Sequence, residues 1–243
     1  MVVLNRLRRG NKLLHRFGWH LSRYHSGYQR QLLLQRHHVD LVVDVGANVG
    51  QYGTTLREFG YPGLIVSLEP MSKAAAQLAE VSKRDGRWEL IRAAAGPSKG
   101  EITINIAGNS ISSSALPMLD RHSDLAPNSR YVAQETAPVD TLDSLVASHV
   151  QHASRPYLKI DTQGYERAVL EGATGVLAKA VAVEMEMSFV PLYEGQMLFR
   201  DAIGYMEAVG FELAALFPGL WDPGTGETLQ ADGVFVAKDG TRT

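Results

Sequence analysis

The chain has 243 residues, of which 45% are hydrophobic and 21% charged, and its formal net charge is −2. That size and balance suit one α/β domain with a full core, and a disordered or fibrous chain is excluded. There are no cysteines, so disulfides and thiolate metal sites are excluded as well.

The charge is unevenly spread. Residues 1–39 carry Arg6, Arg8, Arg9, Lys12, Arg16, Arg23, Arg30 and Arg36 and no acid, which leaves 16 basic residues to face all 26 acids. The chain thus divides into a basic arm, 1–39, and an acidic body, 40–243. In the arm the basic residues alternate with Leu4, Leu7, Leu13, Leu14, Phe17, Trp19, Leu21 and a Leu32–Leu34 run. The pattern predicts one or two amphipathic helices broken near Gly18 or Ser26-Gly27. Packing on the body is the default role. Attraction to nucleic-acid phosphate is the less favoured one. Contact with an anionic membrane surface, with Leu, Phe and Trp buried, is the third. No apolar run spans a bilayer, and the N-terminus lacks a signal-peptide pattern. A cytoplasmic protein is expected, with the arm able to touch the inner membrane surface.

From residue 41 short apolar strands alternate with helical stretches, which indicates βαβ units and a mostly parallel sheet. Leu41–Val45 is the first strand, with a helix over 50–59. Leu64–Leu68 is the second, and Ser72 is placed to N-cap an Ala-rich helix to about Arg84. Trp88–Ala93 is the third, and Glu101–Ile106, "EITINI", alternates as an added strand after a Lys99-Gly100 turn. Residues 107–138, rich in Ser, Pro and Asn, read as a long functional loop. A helix over 141–150 precedes the fourth strand, Tyr157–Asp161, and a helix over 165–170 follows it. Val181–Met185 is the fifth strand, followed by a helix over 198–209. Phe211–Leu216 and Val234–Ala237 form a closing hairpin.

The first strand runs into "VVDVGANVG". A strand, a turn with glycines and a helix let the backbone approach a ligand beyond the carboxyl ends of the sheet. A dinucleotide fingerprint would need glycines at positions held here by Gly46, Asn48 and Gln51. Asn48 would crowd a pyrophosphate, so a nucleotide lacking one fits better, and Asp44 argues against phosphate. A purely structural turn with an acidic cap is the bland alternative. The second strand ends in "LEP", whose Glu69 can accept hydrogen bonds from both hydroxyls of a ribose.

The later motifs narrow the choice. "VVDVGANVGQYGTTLREFG", "LEP", "AAAGPSKGEITI", "SSS", "VDTLDSL", "YLKIDTQGYERAVLEGA" and "VAVEMEM" follow one another in an order that resembles the FkbM family of class I methyltransferases, over about residues 40–237. The family's Leu-Lys-Ile-Asp-Val-Glu-Gly-x-Glu segment is matched except at Thr162 and Gln163, which removes one carboxylate. The resemblance implies a Rossmann-like fold: a mostly parallel seven-stranded sheet with an antiparallel C-terminal strand and helices on both faces. It implies S-adenosylmethionine at Asp44, Gly46, Asn48, Gly50, Glu69, Ala94 and Asp161, with Asp44 facing the cofactor's ammonium. The implied reaction is methyl transfer to a hydroxyl of a sugar, glycolipid or glycosylated natural product.

A sugar hydroxyl is a poor acid, so a base or a divalent cation such as Mg²⁺ must help. Asp161 at the end of the fourth strand is the first candidate for either role. Glu184 completes a possible carboxylate pair and metal site, with Glu186 on the same face at period two. His122, His149 and His152 are further bases, with exposed structural histidines as the bland reading; His149 is the one carried forward. Tyr165 has two equal readings, stacking on a sugar ring and packing under the long loop. The polar turn Asn109–Ser114 offers hydroxyls to cofactor or sugar. The rivals are a non-catalytic module that binds a nucleotide or glycolipid, and an NAD-dependent oxidoreductase, for which no Tyr-x-x-x-Lys pair is found. An oligomer is compatible with the sequence.

Overall fold

The computed structural model describes residues 26–238. Seven strands form one sheet: β1 (Leu41–Val45), β2 (Leu64–Leu68), β3 (Trp88–Ile91), β7 (Pro156–Ile160), β8 (Ala182–Ser188), β9 (Phe211–Pro218) and β10 (Gln230–Ala237). Their order is β3-β2-β1-β7-β8-β10-β9. The first five run parallel, and β10 is antiparallel to both β8 and β9. This is the architecture expected from the sequence. The order reverses at β1, which places a ligand crevice beyond the carboxyl ends of β1 and β7.

Helices cover both faces because the central strands are buried on both sides. On one face Val42, Ile65, Tyr157 and Val234 pack with α1 (Ser26–Arg36), α2 (Gln51–Glu58) and α3 (Ser72–Ser82) through Leu34, Leu56 and Leu78. On the other, Val43, Val66, Leu158 and Val183 pack against α5 (Leu142–Leu145), α6 (Ala147–His152), α7 (Glu166–Glu171), α8 (Thr174–Lys179) and α9 (Phe199–Ala208). The helix read over 141–150 is two, parted at Val146, and Thr141 caps the first by accepting from the Ser144 amide.

The long loop is partly a second sheet. β4 (Ala94–Ala95), β5 (Gly100–Ala107) and β6 (Tyr131–Asp140) pair in the order β4-β6-β5. β6 lies inside the stretch read as loop. Its apolar and polar residues do not alternate, Val132 and Ala133 are exposed, and it carries Pro138, so neither alternation nor propensity marks it. Between β5 and β6 stands the short helix α4 (Asp120–Leu125). β6 also corrects the reading of Ser72, which is the first residue of α3 and not its cap. The cap comes from Glu135, whose carboxylate accepts from Ser72 N at 2.9 Å and from Ser72 Oγ at 3.0 Å. An acid there also suits the helix dipole.

The arm is divided by the structure. Residues 1–25, with most of the predicted amphipathic pattern, lie outside the described residues. Its last turns, α1, pack on the body through buried Gly27, Gln31 and Leu34. Arg30 reaches across the sheet face: Nε donates to Glu184 at 2.6 Å and Nη2 to Asp232 at 2.8 Å. Its guanidinium also stacks 4.3 Å from the centre of the Phe217 ring.

Arg30→Ala leaves Glu184 buried without its cation, so urea unfolding should show a loss of about 3 kcal/mol. Removing residues 1–36 should lower the unfolding midpoint, because Leu34 and Arg30 go.

Candidate active site

A cleft of about 590 Å³ opens at the carboxyl ends of β1, β2 and β7. That volume lies in the range of small-molecule sites. One lobe is mainly apolar, with Met71, Ile102, Ile104 and Ile111. The other is polar, with Lys159, Asp161, Glu186, Gln230 and Asp232.

The β1–α2 turn forms the rim. Gly46 has φ 80°, and a Cβ on it would stand 1.9 Å from the Asp161 carbonyl oxygen. Only glycine allows β1 and the end of β7 to come so close. Gly50 has φ 91° and caps α2, with Leu78 and Trp88 filling the space a side chain would need. Asn48 is left-handed at φ 48°, a conformation Asn tolerates better than most residues. Its Oδ1 accepts from the Val49 amide at 2.8 Å, and its Nδ2 donates to Ser110 Oγ at 3.3 Å. Ser110 belongs to the Asn109–Ser114 turn, which does line the cleft.

Glu69 clamps this rim. It is 2% exposed, and its two oxygens accept from the amides of Asn48 and Met71, each at 2.8 Å. Each oxygen keeps a further lone pair for a ligand hydroxyl. Burial raises its pKa to about 7, against the pull of the Met71 and Asn48 amides. Ala94 lies beside it where the chain leaves the main sheet, also lining the cleft.

Beneath the cleft a polar row crosses the sheet in register: Ser67, Asp44, Lys159 and Glu184. Asp44 does not line the cleft, contrary to the expectation that it faces an ammonium. It is fully buried, with Lys159 Nζ 3.3 Å from Oδ1 and Ser67 donating to Oδ2 at 3.3 Å. Burial raises its pKa, with Lys159 opposing. Lys159 also lies 3.5 Å from Asp161 Oδ2 and 5.2 Å from the centre of the Tyr52 ring. Burial alone would discharge this lysine, but Asp44 and Asp161 outweigh it and raise its pKa.

Glu184 is also corrected. It sits in mid-strand, 2% exposed, and accepts from Arg30 and from the hydroxyls of Tyr52 and Tyr157, both at 2.8 Å. Its oxygens are committed, so it is neither a free base nor a metal ligand. His149 lies elsewhere. α6 leads into the start of β7, so its histidine borders a shallow depression at the amino ends of the strands, with Asp40, Leu41 and Leu64. There Nε2 pairs with Glu89 at 3.0 Å. Tyr165 does line the cleft, and burial raises its pKa.

A model of the "Methyltransferase FkbM domain" matches residues 44–213. The chain belongs to the FkbM methyltransferase family. No curated protein matches the sequence. Among solved structures the chain is similar to magnesium protoporphyrin IX methyltransferase from Synechocystis PCC 6803 with bound S-adenosylmethionine: 10% identity, 87% of this chain and 76% of that one, TM-score 0.48. It is similar to a TehB-like S-adenosylmethionine-dependent methyltransferase from Corynebacterium glutamicum at 14% identity, covering 96% and 97%, TM-score 0.42. For precorrin-6y C5,15-methyltransferase from Geobacter metallireducens the values are 13%, 86% of each chain and 0.44.

The cleft of this FkbM methyltransferase fits S-adenosylmethionine. Glu69 would offer its free lone pairs to a ribose, the glycine turn would allow close backbone contact, and Ile102, Ile104 and Met71 would offer an apolar surface to a ring. Mg²⁺ does not fit: among the described residues no three His, Asp or Glu side chains gather to hold an ion. Between Asp161 and Glu186 stands the Gln163 amide, which donates to both at 2.9 Å.

The structure adds residues the sequence reading passed over. Lys159 appeared only inside the "YLKID" segment, with no role of its own. Asp232 gave no signal of its own. His122, weighed and set aside, lies on the cleft, 3% exposed, with Nδ1 unpartnered.

A ribose hydroxyl bound at Glu69 would donate to it, so that binding would favour its charged form. S-adenosylmethionine affinity measured by calorimetry should be full above about pH 7 and weaken as the pH falls through that value. Glu69→Gln should cost ~1.5–3 kcal/mol of binding and remove this pH dependence.

Proposed function

We propose that the protein is an S-adenosylmethionine-dependent O-methyltransferase acting on a hydroxyl of a sugar-containing acceptor. The observation that carries the reading is the polar lobe. Asp161, Glu186, Gln230, Asp232 and His122 line it beside the apolar lobe, and so many hydrogen-bonding groups suit a polyhydroxylated acceptor better than a flat apolar one.

S-adenosylmethionine supplies, when bound, a methyl group on a positively charged sulfur, already activated for transfer. The chain must align the acceptor and take its proton, and alignment can contribute ~7–11 kcal/mol. Both Asp161 oxygens are engaged, Oδ1 by the Gln163 amide at 2.9 Å and Oδ2 by Lys159 at 3.5 Å. The role of Asp161 is to orient the acceptor hydroxyl. His122 is the better base. Burial lowers its pKa from the ordinary 6.5, so the imidazole is neutral at pH 7. The Tyr193 ring holds it edge-on at 5.1 Å between centroids. As the methyl passes from sulfur to the acceptor oxygen, the C–S bond would break and leave S-adenosylhomocysteine, and the unpartnered Nδ1 of His122 would take the hydroxyl proton.

The basic segment 1–25 extends the proposal. Its arginines and its Leu, Phe and Trp suit an anionic membrane surface, where a lipid-linked sugar would be presented. Among the described residues no helix is long and apolar enough to cross a membrane.

Radiolabelled methyl from S-adenosylmethionine should appear on oxygen in a panel of methyl glycosides. Transfer only to the amines of matched amino sugars would overturn the reading. With an acceptor in hand, His122→Gln should lower kcat by ~10²-fold and leave cofactor affinity unchanged. The wild-type rate should fall with pH only below neutrality, where His122 gains its proton. Deleting residues 1–25 should spare soluble acceptors and slow a lipid-linked one, most at low salt.

A further inference from the structure

Gln163 occupies the point where two carboxylates converge. Its Nε2 donates to Asp161 Oδ1 and to Glu186 Oε2, both at 2.9 Å. Two carboxylates around one atom fix which end of the amide is which, because the oxygen would repel both. That oxygen instead faces the Tyr193 hydroxyl at 2.8 Å. The backbone holds the residue in place: φ is 54°, and the Gln163 carbonyl accepts from Ser114 Oγ at 2.7 Å. Burial first, and then the charges of Asp161, Glu166 and Asp232, push the Glu186 carboxyl up from its usual range. Something must keep this acidic group together.

We propose that the Gln163 amide does the work of a cation here: it ties Asp161 to Glu186, this centre takes no divalent metal, and the single change Gln163→Glu turns it into a metal site. The reason lies in donor chemistry. Hard divalent cations need several oxygen ligands. The Gln163 nitrogen offers protons, not lone pairs, to the space between the carboxylates, and its two N–H groups satisfy both without a counter-ion. Replacing that nitrogen by oxygen sets a third carboxylate beside Asp161 and Glu186, and a cation relieves their repulsion. The inference rests on the proposed function only in taking Asp161 as part of the reaction centre. Its test reads cation binding, so a wrong acceptor assignment would leave the result standing.

The probe is Mn²⁺, titrated into the full chain with S-adenosylhomocysteine present and followed by electron spin resonance of the free ion. Wild type and Asp161→Asn should bind Mn²⁺ equally weakly, and EDTA should not move the wild-type melting temperature. Gln163→Glu should gain one Mn²⁺ per chain, roughly tenfold tighter or better, and lose it when Asp161→Asn is added. A stoichiometric Mn²⁺ on wild type that Asp161→Asn abolishes would overturn the proposal. So would a folded Gln163→Glu protein that gains no site. If Gln163→Glu does not fold, the comparison of wild type with Asp161→Asn decides alone.

Discussion

The structure depends on a row of polar side chains laid across the middle of its sheet. Ser67, Asp44, Lys159 and Glu184 come from four adjacent parallel strands in register, on the face covered by α1 and α2. Each charge is expensive to bury alone and tolerable only with its neighbours. Asp44 needs Lys159, and Glu184 needs Arg30 together with two tyrosine hydroxyls. The row therefore fixes how β1 and β7 sit against each other, and it reaches outward to α1. Above it those two strands end, at Gly46 and Asp161, and the cleft begins. The floor of the site is thus an electrostatic device, and the site's geometry inherits its register.

Two side chains carry that order up into the cleft. Glu69 joins the ends of β1 and β2 through the amides of Asn48 and Met71. Gln163 joins the ends of β7 and β8 through Asp161 and Glu186. One acid thus fixes the β1–β2 rim of the cleft and one amide its β7–β8 side, and Lys159 reaches Asp161 from below. Such preorganisation matters for a transfer whose donor is already reactive, because what the protein must supply is position more than force.

Much of this was legible in the sequence. Apolar runs separated by helical stretches gave the parallel sheet, and "VVDVGANVG" and "LEP" marked one rim of the cleft, because a glycine turn and a strand-end acid both lie at the carboxyl ends of the strands. What was not legible was pairing. Asp44 and Glu184 read as site residues because an acid in an apolar strand signals function, yet each is answered by a cation far away in the chain. Glu184 and Arg30 are 154 residues apart, and no local pattern reports that contact. His149 failed for a related reason: periodicity places a histidine on a helix end but does not say which edge of the sheet that end meets. β6 escaped because its apolar residues are not spaced to alternate and two of them, Val132 and Ala133, face solvent.

The central claim is that the rim formed by Gly46, Asn48, Glu69 and Ala94 holds the nucleoside of S-adenosylmethionine. Backbone amide NMR of the chain titrated with S-adenosylhomocysteine tests it most directly. The account predicts saturable one-to-one shifts concentrated at residues 46–48, at Met71 and at Ala94–Ala95, with the amides around His149 unmoved. Absence of saturable shifts, or shifts gathered at the amino ends of the strands near Asp40 and His149, would contradict it.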